Sequence, residues 1–265
     1  MRLVAFLQLY NEYERGNLER CLINCAQWAD DIFIYDDCST DGSQDIYLNY
    51  TEKKNIIFGT TRNFKRELFH KQELLELVVK TDPNWIGFID GDTVLCKELT
   101  ENCKDIIADT AGGVHGGLRL HNMNFWRHPA YYRIDSQFDL CRHIVFWLNS
   151  GALQFDLVEK LHQPQFPLNV EEITVNLPET MRLLHYGFAS DDNIIRKYLM
   201  YKSLGEQGLT RLIDDGPQRK LIKVPKELYP IENIPLDYDT CVEPLRRSFV
   251  EVDVFNNYQE YINSK

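Results

Sequence analysis

Apolar and polar positions alternate along the first 95 residues in blocks that predict strands and helices in turn. Apolar runs at Leu3–Leu9 and Asp31–Asp36 predict two strands, and apolar residues at helical spacing between them predict a helix. The same pattern continues with a further set of elements. These are a helix starting after the polar cluster 39–43, a strand at 55–58, a long helix whose apolar face covers 64–79 and which ends near Asp82-Pro83, and a strand at 85–89.

Strands that alternate with helices predict a mostly parallel α/β sheet with helices on both faces, of the Rossmann-like kind. Ligands of such sheets bind at the carboxyl ends of the strands. Asp36, Asp37, Asp90 and Asp92 all lie at predicted strand ends. We therefore expect the functional site at this edge of the sheet.

The second half of the chain changes character and predicts mixed strands and loops that close over the site. Residues 96–215 are assigned to this half of a single domain, 1–215, whose first half is 1–95. The segment 216–265 carries five prolines and predicts an extended C-terminal arm, because proline removes a backbone donor.

The charge and composition of the chain limit the kinds of partner that it can bind. The 265-residue chain has a formal net charge of −11, which excludes nucleic acid or an anionic membrane surface as the main partner. A phosphorylated substrate stays open if a divalent cation bridges it to the protein. The seven cysteines include no C-x-x-C pair, and no apolar run approaches the roughly 20 residues that a membrane span needs. We expect a cytoplasmic location.

The segment Asp90-Gly91-Asp92 follows an apolar run and has three interpretations. An Asp-Gly pair between apolar runs is typical of a hairpin turn. Two carboxylates this close repel one another unless a proton or a metal intervenes, which favours a cation site of oxygen ligands. The third interpretation is the nucleophile loop of a phosphatase.

The phosphatase interpretation rests on a resemblance to the haloacid dehalogenase superfamily, in which D-x-D-x-[TV] follows an apolar strand. Asp90 would then be the nucleophile and Asp92 the acid/base, with Asp191-Asp192 as magnesium ligands. That nucleophile normally follows the first strand of its domain. Here at least three strand candidates precede Asp90.

Four polar clusters in order resemble the nucleotide-sugar half of family 2 glycosyltransferases, which have the GT-A fold. A strand ends in Y-N-E, a second ends in D-D-x-S-T-D-G-S, an R-N pair opens a helix, and a strand leads into D-x-D. The corresponding segments here are Tyr10-Asn11-Glu12, residues 36–43, Arg62-Asn63 and Asp90-Gly91-Asp92. The chain departs from the commonest pattern at Cys38, where Gly is usual, and at Gly91, where Ala is common.

The resemblance implies roles for the matching positions. Asp92 would bind the metal, and Asp90 would reach the ribose or a metal-bound water. Asp37 would meet the base edge, with Arg62 near the base or the phosphates. The residues implied to border the nucleotide are Leu9, Tyr10, Glu12, Asp36, Asp37, Arg62, Asp90 and Gly91.

Further along, Leu183-Leu184-His185-Tyr186 resembles the L-x-H-Y segment of a subgroup in which a His completes the metal site. A functional His185 would favour Mn²⁺ over Mg²⁺, because imidazole is a better ligand for manganese. A Glu upstream of that His is the base in this subgroup, and Glu171 or Glu172 is the nearest match, with Glu179 and Asp191 as alternatives. Four aromatic residues are further candidates for stacking on sugar rings: Trp126, Tyr131, Tyr132 and Trp147.

The sequence thus predicts a metal-dependent, inverting glycosyltransferase of the hexosyltransferase type. The expected donor is a nucleoside-diphosphate sugar, preferentially a UDP-sugar, and the expected acceptor is a hydroxyl of a glycan or of a lipid-linked molecule. The open alternatives are the phosphatase and a non-catalytic nucleotide-binding module. Peripheral association with a membrane and homodimerisation through the C-terminal arm also stay open.

Overall fold

The computed structural model describes residues 1–111, 116–135, 138, 141–159, 164–168, 170–206, 219–245, 249 and 251–265. These residues group into two compact units. The first comprises Met1–His121 with Arg142–Leu183, and the second comprises Asn122–Cys141 with Leu184–Lys265. Among the described residues, no helix combines the length and the apolar character that crossing a membrane requires.

The first unit contains the strand and helix order that the sequence predicts for residues 1–95. Its elements are β1 Leu3–Leu9, α1 Leu18–Trp28, β2 Asp31–Asp36, α2 Ser43–Tyr47, β3 Ile56–Phe58, α3 Glu67–Val79, β4 Trp85–Phe88, β5 Thr93–Leu95, α4 Lys97–Ala111, β8 Arg142–Leu148 and β9 Thr174–Asn176. Two strands begin in this unit and end in the second, β6 Gly117–Trp126 and β10 Arg182–His185.

The sheet of the first unit is mostly parallel. Strand β1 pairs in parallel with β2 on one side and with β4 on the other, and β2 pairs in parallel with β3. Beyond β4 the pairing changes, because β8 is antiparallel to β4 and the start of β6 is antiparallel to β8. Strand β9 is parallel to β6. The predicted fold class, a mostly parallel α/β sheet with a mixed half, is confirmed.

Helices cover both faces of the parallel strands. On one face Phe6 lies among the rings of Phe88, Trp147 and Phe155, and α3 packs over them through a buried stripe that includes Leu75. On the other face α1 lies so close to β4 that a Cβ at Gly87 would be 2.9 Å from the Trp28 ring. Because both faces are covered, the carboxyl edge of the sheet is the natural place for a ligand.

The second unit contains the end of β6, which is antiparallel to β7 His128–Arg133, while β11 Leu221–Lys223 is antiparallel to β7. Its helices are α5 Asp191–Ser203 and α6 Tyr258–Asn263. Ser190 caps α5, since its Oγ accepts the Asn193 amide at 3.2 Å. An aromatic and aliphatic cluster that includes Trp126, Phe188 and Leu199 forms its core. The proposed boundary between residues 215 and 216 lies outside the described residues and stays a prediction.

Candidate active site

Three loops meet at the carboxyl edge of the parallel strands. The register pairs Leu9 with Asp36 and Phe6 with Phe88, so the residues that follow β1, β2 and β4 lie at the same edge. Backbone hydrogen bonds extend this alignment past the strands, from Asp37 N to Leu9 O at 2.8 Å and from Ile89 N to Phe6 O at 3.2 Å. The loops that carry Tyr10, Asp37 and Asp90 therefore neighbour one another.

The loop after β1 is tied to the loop after β2. Asn11 adopts a left-handed backbone with φ of 50°, which Asn tolerates better than most residues. In this conformation the Asn11 amide donates to Ser39 Oγ at 3.0 Å, and Asn11 Oδ1 accepts the Thr40 amide at 2.8 Å. The Glu14 amide donates to Asp41 Oδ2 at 2.9 Å. The polar residues of both clusters thus hold the two loops in one arrangement.

Asp36 lies beneath this arrangement. It is fully buried, and both carboxylate oxygens accept hydrogen bonds from within the protein. Oδ1 accepts from Tyr47 Oη at 2.9 Å, and Oδ2 accepts from Gln44 Nε2 at 2.7 Å and from the Ser39 amide at 3.1 Å. The geometry makes Asp36 a residue that shapes the loop, whereas the resemblance places it at the nucleotide.

Asp37 differs from Asp36 in that one of its carboxylate oxygens has no hydrogen-bond donor in the part of the chain that the structure describes. Its side chain is buried, yet Oδ1 has no hydrogen-bond partner among the described residues. Burial raises the pKa of the Asp37 carboxyl, against the lowering effects of nearby His70, the Asn63 backbone N–H and Arg62. A buried acceptor without a donor is unfavourable by itself, so this oxygen is suited to an N–H or O–H group of a ligand.

Arg62 and Tyr10 form a flat polar surface beside Asp37. The Arg62 guanidinium carbon lies 3.7 Å from the centre of the Tyr10 ring, which is the geometry of a cation–π contact. Arg62 is exposed and Tyr10 is half-buried. The electrostatic effect of Arg62 on Asp37 places its positive charge near that carboxylate.

The Asp90-Gly91-Asp92 segment forms a tight turn, in which the Thr93 amide and the Thr93 hydroxyl both donate to the Asp90 carbonyl at 2.9 Å. The turn does not close a hairpin, because β4 pairs with β1 and β8 whereas β5 pairs with β10. Asp90 is exposed and Asp92 is half-buried. The hairpin interpretation is therefore wrong.

Gly91 allows this turn to sit closely on the loop after β1. A Cβ at Gly91 would lie 2.6 Å from Glu12 Cγ and 2.7 Å from Leu9 Cδ2. Glu12 is itself fixed, since its two carboxylate oxygens accept from Arg15 Nη1 at 2.7 Å and from Asn17 Nδ2 at 3.0 Å. Glu12 therefore provides a fixed surface against which the turn packs at Gly91.

The profile of glycosyl transferase family 2 matches residues 6–162, which is more than half of the chain and includes all three loops. The chain belongs to glycosyl transferase family 2. The resemblance seen in the four polar clusters is thereby confirmed, and the haloacid dehalogenase alternative loses its support because Asp90 follows the fourth strand.

Solved structures of S. aureus TarS are similar to part of this family 2 chain. TarS 1-349 in complex with UDP-GlcNAc is 18% identical with a TM-score of 0.34, over 47% of this chain and 34% of that one. TarS 1-349 in complex with UDP is 20% identical with a TM-score of 0.34, over 47% and 36%. The chain thus spans about a third of those TarS chains. No curated protein matches it.

The structure of this family 2 member does not bring Glu171 and Glu172 to the edge that carries Asp37. Thr174 pairs with Gly117, Gly117 with Trp147, and Trp147 with Ile86. The two glutamates precede Thr174 and so lie towards the amino end of β4, whereas Asp90 follows its carboxyl end. At about 3.3 Å per residue, that separation along the strand is on the order of 15 Å. Both are exposed, and Arg119 Nη2 pairs with Glu171 at 3.2 Å.

His185 and Asp191 belong to the second unit. Asn124 Oδ1 lies 2.6 Å from His185 Nδ1, and Lys197 Nζ lies 3.4 Å from His185 Nε2. Because an ammonium only donates, Nε2 carries the lone pair, which is the tautomer that metal ligands use, but Lys197 occupies it. Asp191 forms an ion pair with the buried side chain of Arg127. The proposed roles of both residues stay predictions.

Two of the aromatic candidates for sugar stacking are wrong. Trp126 and Trp147 are completely buried in the cores of the second and first unit, respectively, so neither ring can meet a sugar. Tyr131 and Tyr132 are half-buried, and their role stays a prediction.

The sequence reasoning missed His70 and Gln8, which adjoin Asp37. His70 is buried on α3 with its Nδ1 at 3.8 Å from Asp37 Oδ1 and 3.2 Å from Gln8 Nε2. The sequence contains one signal for this pair of residues: Gln8 is the one polar residue within the otherwise apolar strand β1.

The two carboxylates of the Asp90-Gly91-Asp92 turn suit a hard divalent cation. Carboxylate oxygens are its preferred ligands, and such a cation usually keeps coordination positions for phosphate oxygens. Among the described residues, no group of three His, Cys, Asp or Glu side chains is arranged to hold a metal ion. Two carboxylates alone do not fill the coordination sphere of such a cation, so oxygen atoms of a ligand or of water would have to supply the remaining positions.

Proposed function

We propose that this chain is a metal-dependent, inverting glycosyltransferase that uses a nucleoside-diphosphate sugar, preferentially a UDP-sugar. The observation that carries the proposal is the buried, unpartnered Oδ1 of Asp37, at the same sheet edge as the Asp90-Gly91-Asp92 turn in a member of family 2. One group is suited to a nucleobase donor and the other to a cation with a diphosphate. The acceptor would be a hydroxyl of a glycan or a lipid-linked molecule.

In this proposal the nucleoside lies along the loops after β1 and β2. Asp37 Oδ1 accepts an N–H from the base edge, and the Tyr10–Arg62 pair provides a flat surface with positive charge near the base or the phosphates. Leu9 and Gly91 pack closely against each other where the loop after β1 meets the Asp90-Gly91-Asp92 turn. Asp36 and Glu12 act as positioning residues that hold the loops. All of these groups are preformed, which lowers the entropy lost on binding.

Asp92 would hold Mn²⁺ or Mg²⁺, and Asp90 would bind the same ion through water or reach the ribose. When bound, the ion neutralises the diphosphate that departs from the anomeric carbon. The carboxylates also explain how a chain with a net charge of −11 accepts a pyrophosphate, since the cation lies between them. His185 stays a predicted metal ligand. To bind the ion through Nε2, it requires Lys197 to move away from the lone pair of that nitrogen.

Inversion requires a base within hydrogen-bond reach of the acceptor hydroxyl. Glu171 and Glu172 lie towards the amino end of β4. Asp191 is held by Arg127. These three residues stay predicted bases, and the donor-binding residues can be tested without them.

The test is a thermal shift of the purified protein with Mn²⁺ and, in turn, UDP, GDP, dTDP and CDP. At a hundredfold excess of nucleotide over Kd, binding stabilises the folded state by about 2.7 kcal/mol, which for this length is a rise in Tm of roughly 5 to 10 °C. We expect a metal-dependent rise with one nucleotide, lost in Asp92→Ala. The matched control is Asp105→Ala, on the exposed face of α4. Absence of any metal-dependent shift in the wild type contradicts the proposal.

A further inference from the structure

Gln8 and His70 form a hydrogen bond that fixes the protonation of the imidazole. Gln8 Nε2 lies 3.2 Å from His70 Nδ1. An amide nitrogen can donate but cannot accept, so Nδ1 must be the accepting nitrogen and the ring hydrogen is on Nε2. The hydrogen bond thus selects one of the two neutral tautomers of His70.

The imidazole has little freedom to change this arrangement. His70 is 7% exposed, and its ring stacks on Tyr35 with 4.5 Å between ring centres and 8° between the planes. Burial lowers the pKa of His70 even though Asp37 opposes this effect, which favours the neutral ring. The charged groups that act on the ring are Asp37, Arg66, Glu73 and Lys71.

The selected tautomer leaves Oδ1 of Asp37 without a donor among the described residues. His70 Nδ1 is 3.8 Å from Asp37 Oδ1, and with the ring hydrogen on Nε2 neither of these two atoms can donate to the other. With the hydrogen on Nδ1, the same ring could donate to Oδ1 after a small shift, and the carboxylate would be satisfied within the protein. Gln8 disfavours this, because its Nε2 donates to Nδ1 and needs an unprotonated nitrogen there.

We propose that Gln8 and His70 act as a tautomer lock that keeps Asp37 Oδ1 without a donor from the protein, so that it accepts the N–H edge of a nucleobase and thereby sets base selectivity. The inference rests on the proposed function. Uracil presents N3–H at the edge where cytosine presents an unprotonated nitrogen, so the open carboxylate favours uracil over cytosine. Gln8 and His70 are positioning residues for Asp37.

The experiment measures UDP and CDP binding by calorimetry with Mn²⁺ at about pH 7.5, a pH at which His70 is neutral. The variants are Gln8→Leu, which removes the lock, His70→Phe, which keeps a ring against Tyr35 but has no nitrogen, and the double variant. In Gln8→Leu we expect roughly tenfold weaker UDP binding, the effect of losing one hydrogen bond to a charged group, with CDP binding unchanged. In His70→Phe and in the double variant UDP should bind nearly as in the wild type.

A purely structural role predicts a different pattern. It would weaken UDP and CDP alike in Gln8→Leu, and the loss would persist in the double variant, whereas the lock requires that Gln8 matter only when His70 is present. Either structural result overturns the inference. Wild-type protein that binds neither nucleotide overturns the proposed function and the inference with it, whereas UDP binding that Gln8→Leu leaves unchanged overturns the inference alone.

A second measurement needs no variant and no nucleotide. The ¹⁵N chemical shifts of the His70 ring in the free wild-type protein distinguish a protonated from an unprotonated Nδ1. The lock predicts an unprotonated Nδ1 at about pH 7.5. A protonated Nδ1 overturns the inference whatever the binding data show.

Discussion

A Cβ at Gly91 would lie 2.6 Å from Cγ of Glu12. The turn that carries both candidate metal-binding carboxylates and the loop that follows β1 are therefore in contact through the absence of a side chain. This gives a steric reason for Gly91 in a position where the resembling enzymes commonly have Ala.

Gly91→Ala should destabilise the fold and displace the turn. Overpacking of this kind typically costs about 1 to 3 kcal/mol, and the shift of Asp92 should weaken metal-dependent nucleotide binding as well. Urea unfolding and calorimetry would measure the two effects. The control is Gly16→Ala, where φ is +70° and no other atom lies within 4 Å of the new Cβ, so backbone strain of about 1 to 2 kcal/mol is the main cost. Unaltered binding in Gly91→Ala would contradict the role of the contact.

Asp36→Asn and Asp37→Asn should have opposite consequences although the residues are adjacent. Asp36→Asn places an NH₂ group against donors from Tyr47, Gln44 or Ser39 and should lower the free energy of unfolding by about 2 to 4 kcal/mol. Asp37→Asn should alter it by no more than about 1 kcal/mol, because Oδ1 has no partner to lose, but should weaken nucleotide binding by roughly tenfold, the effect of losing a hydrogen bond to a charged group. Equal stability losses in the two variants would show that the structural distinction is wrong.

The stability difference between wild type and Asp37→Asn should depend on pH. The folded-state pKa of Asp37 is raised by burial above its unfolded value of about 3.9, so the folded state favours the protonated form. This contribution to stability is present below the unfolded pKa and is lost as pH rises through the folded pKa. In urea titrations, the free energy of unfolding of wild type should therefore rise relative to that of Asp37→Asn as the pH is lowered from about 7 to about 4. Performing both titrations in the His70→Phe background removes the contribution of the imidazole.

Cys38→Gly should leave stability nearly unchanged or raise it slightly. Cys38 has φ of 64°, a conformation that costs a residue with a side chain about 1 to 2 kcal/mol and glycine almost nothing. The gain is offset by the greater freedom of glycine in the unfolded chain and by loss of the contact between Sγ and Gly59 O at 3.2 Å. Cys38→Val, with its β-branch, should destabilise by more than about 2 kcal/mol in the same unfolding assay. Equal stability of the Gly and Val variants would contradict the strain.

Lys71→Met should destabilise the first unit by about 3 to 5 kcal/mol. Lys71 is buried on α3, 4.0 Å from Glu67 Oε2 and hydrogen-bonded to Gln165, and its removal leaves the Glu67 charge buried without a counter-ion. Burial lowers the pKa of Lys71, so the unfolded wild type binds more protons than the folded one and wild-type stability rises with pH; the deficit of Lys71→Met should therefore grow as pH rises towards the unfolded pKa of about 10.4.

The double variant Lys71→Met, Glu67→Gln serves as the control for this ion pair. It removes both charges and should recover most of the loss, because a buried ion pair adds little net stability over uncharged groups. Urea unfolding of the single and double variants gives the comparison. A double variant as unstable as Lys71→Met would indicate that packing, and not charge, causes the loss.

Local patterns were sufficient for the order of the elements and for the edge where the site lies. The strands at Leu3–Leu9 and Asp31–Asp36 were predicted with their observed bounds, since a run of apolar residues between polar clusters is a local signal. The carboxylates at 37 and 90 were predicted to share an edge, because parallel strands place their ends together. The Asp-Gly pair is a typical hairpin signal, but no hairpin forms there. The strand that pairs with β4 is not determined by the residues that follow β4 in the sequence.

Sequence alone thus determined which residue types stand at the strand ends and which family they resemble. The tertiary structure decided which of two adjacent aspartates is satisfied within the protein, because Tyr47 and Gln44 reach Asp36 and no described residue donates to Asp37 Oδ1. It also decided that Gln8 meets His70, 62 positions away, and that Glu171 lies towards the opposite end of the sheet. The physical reason is that hydrogen-bond satisfaction and strand register depend on contacts between residues distant in sequence, which no local periodicity encodes.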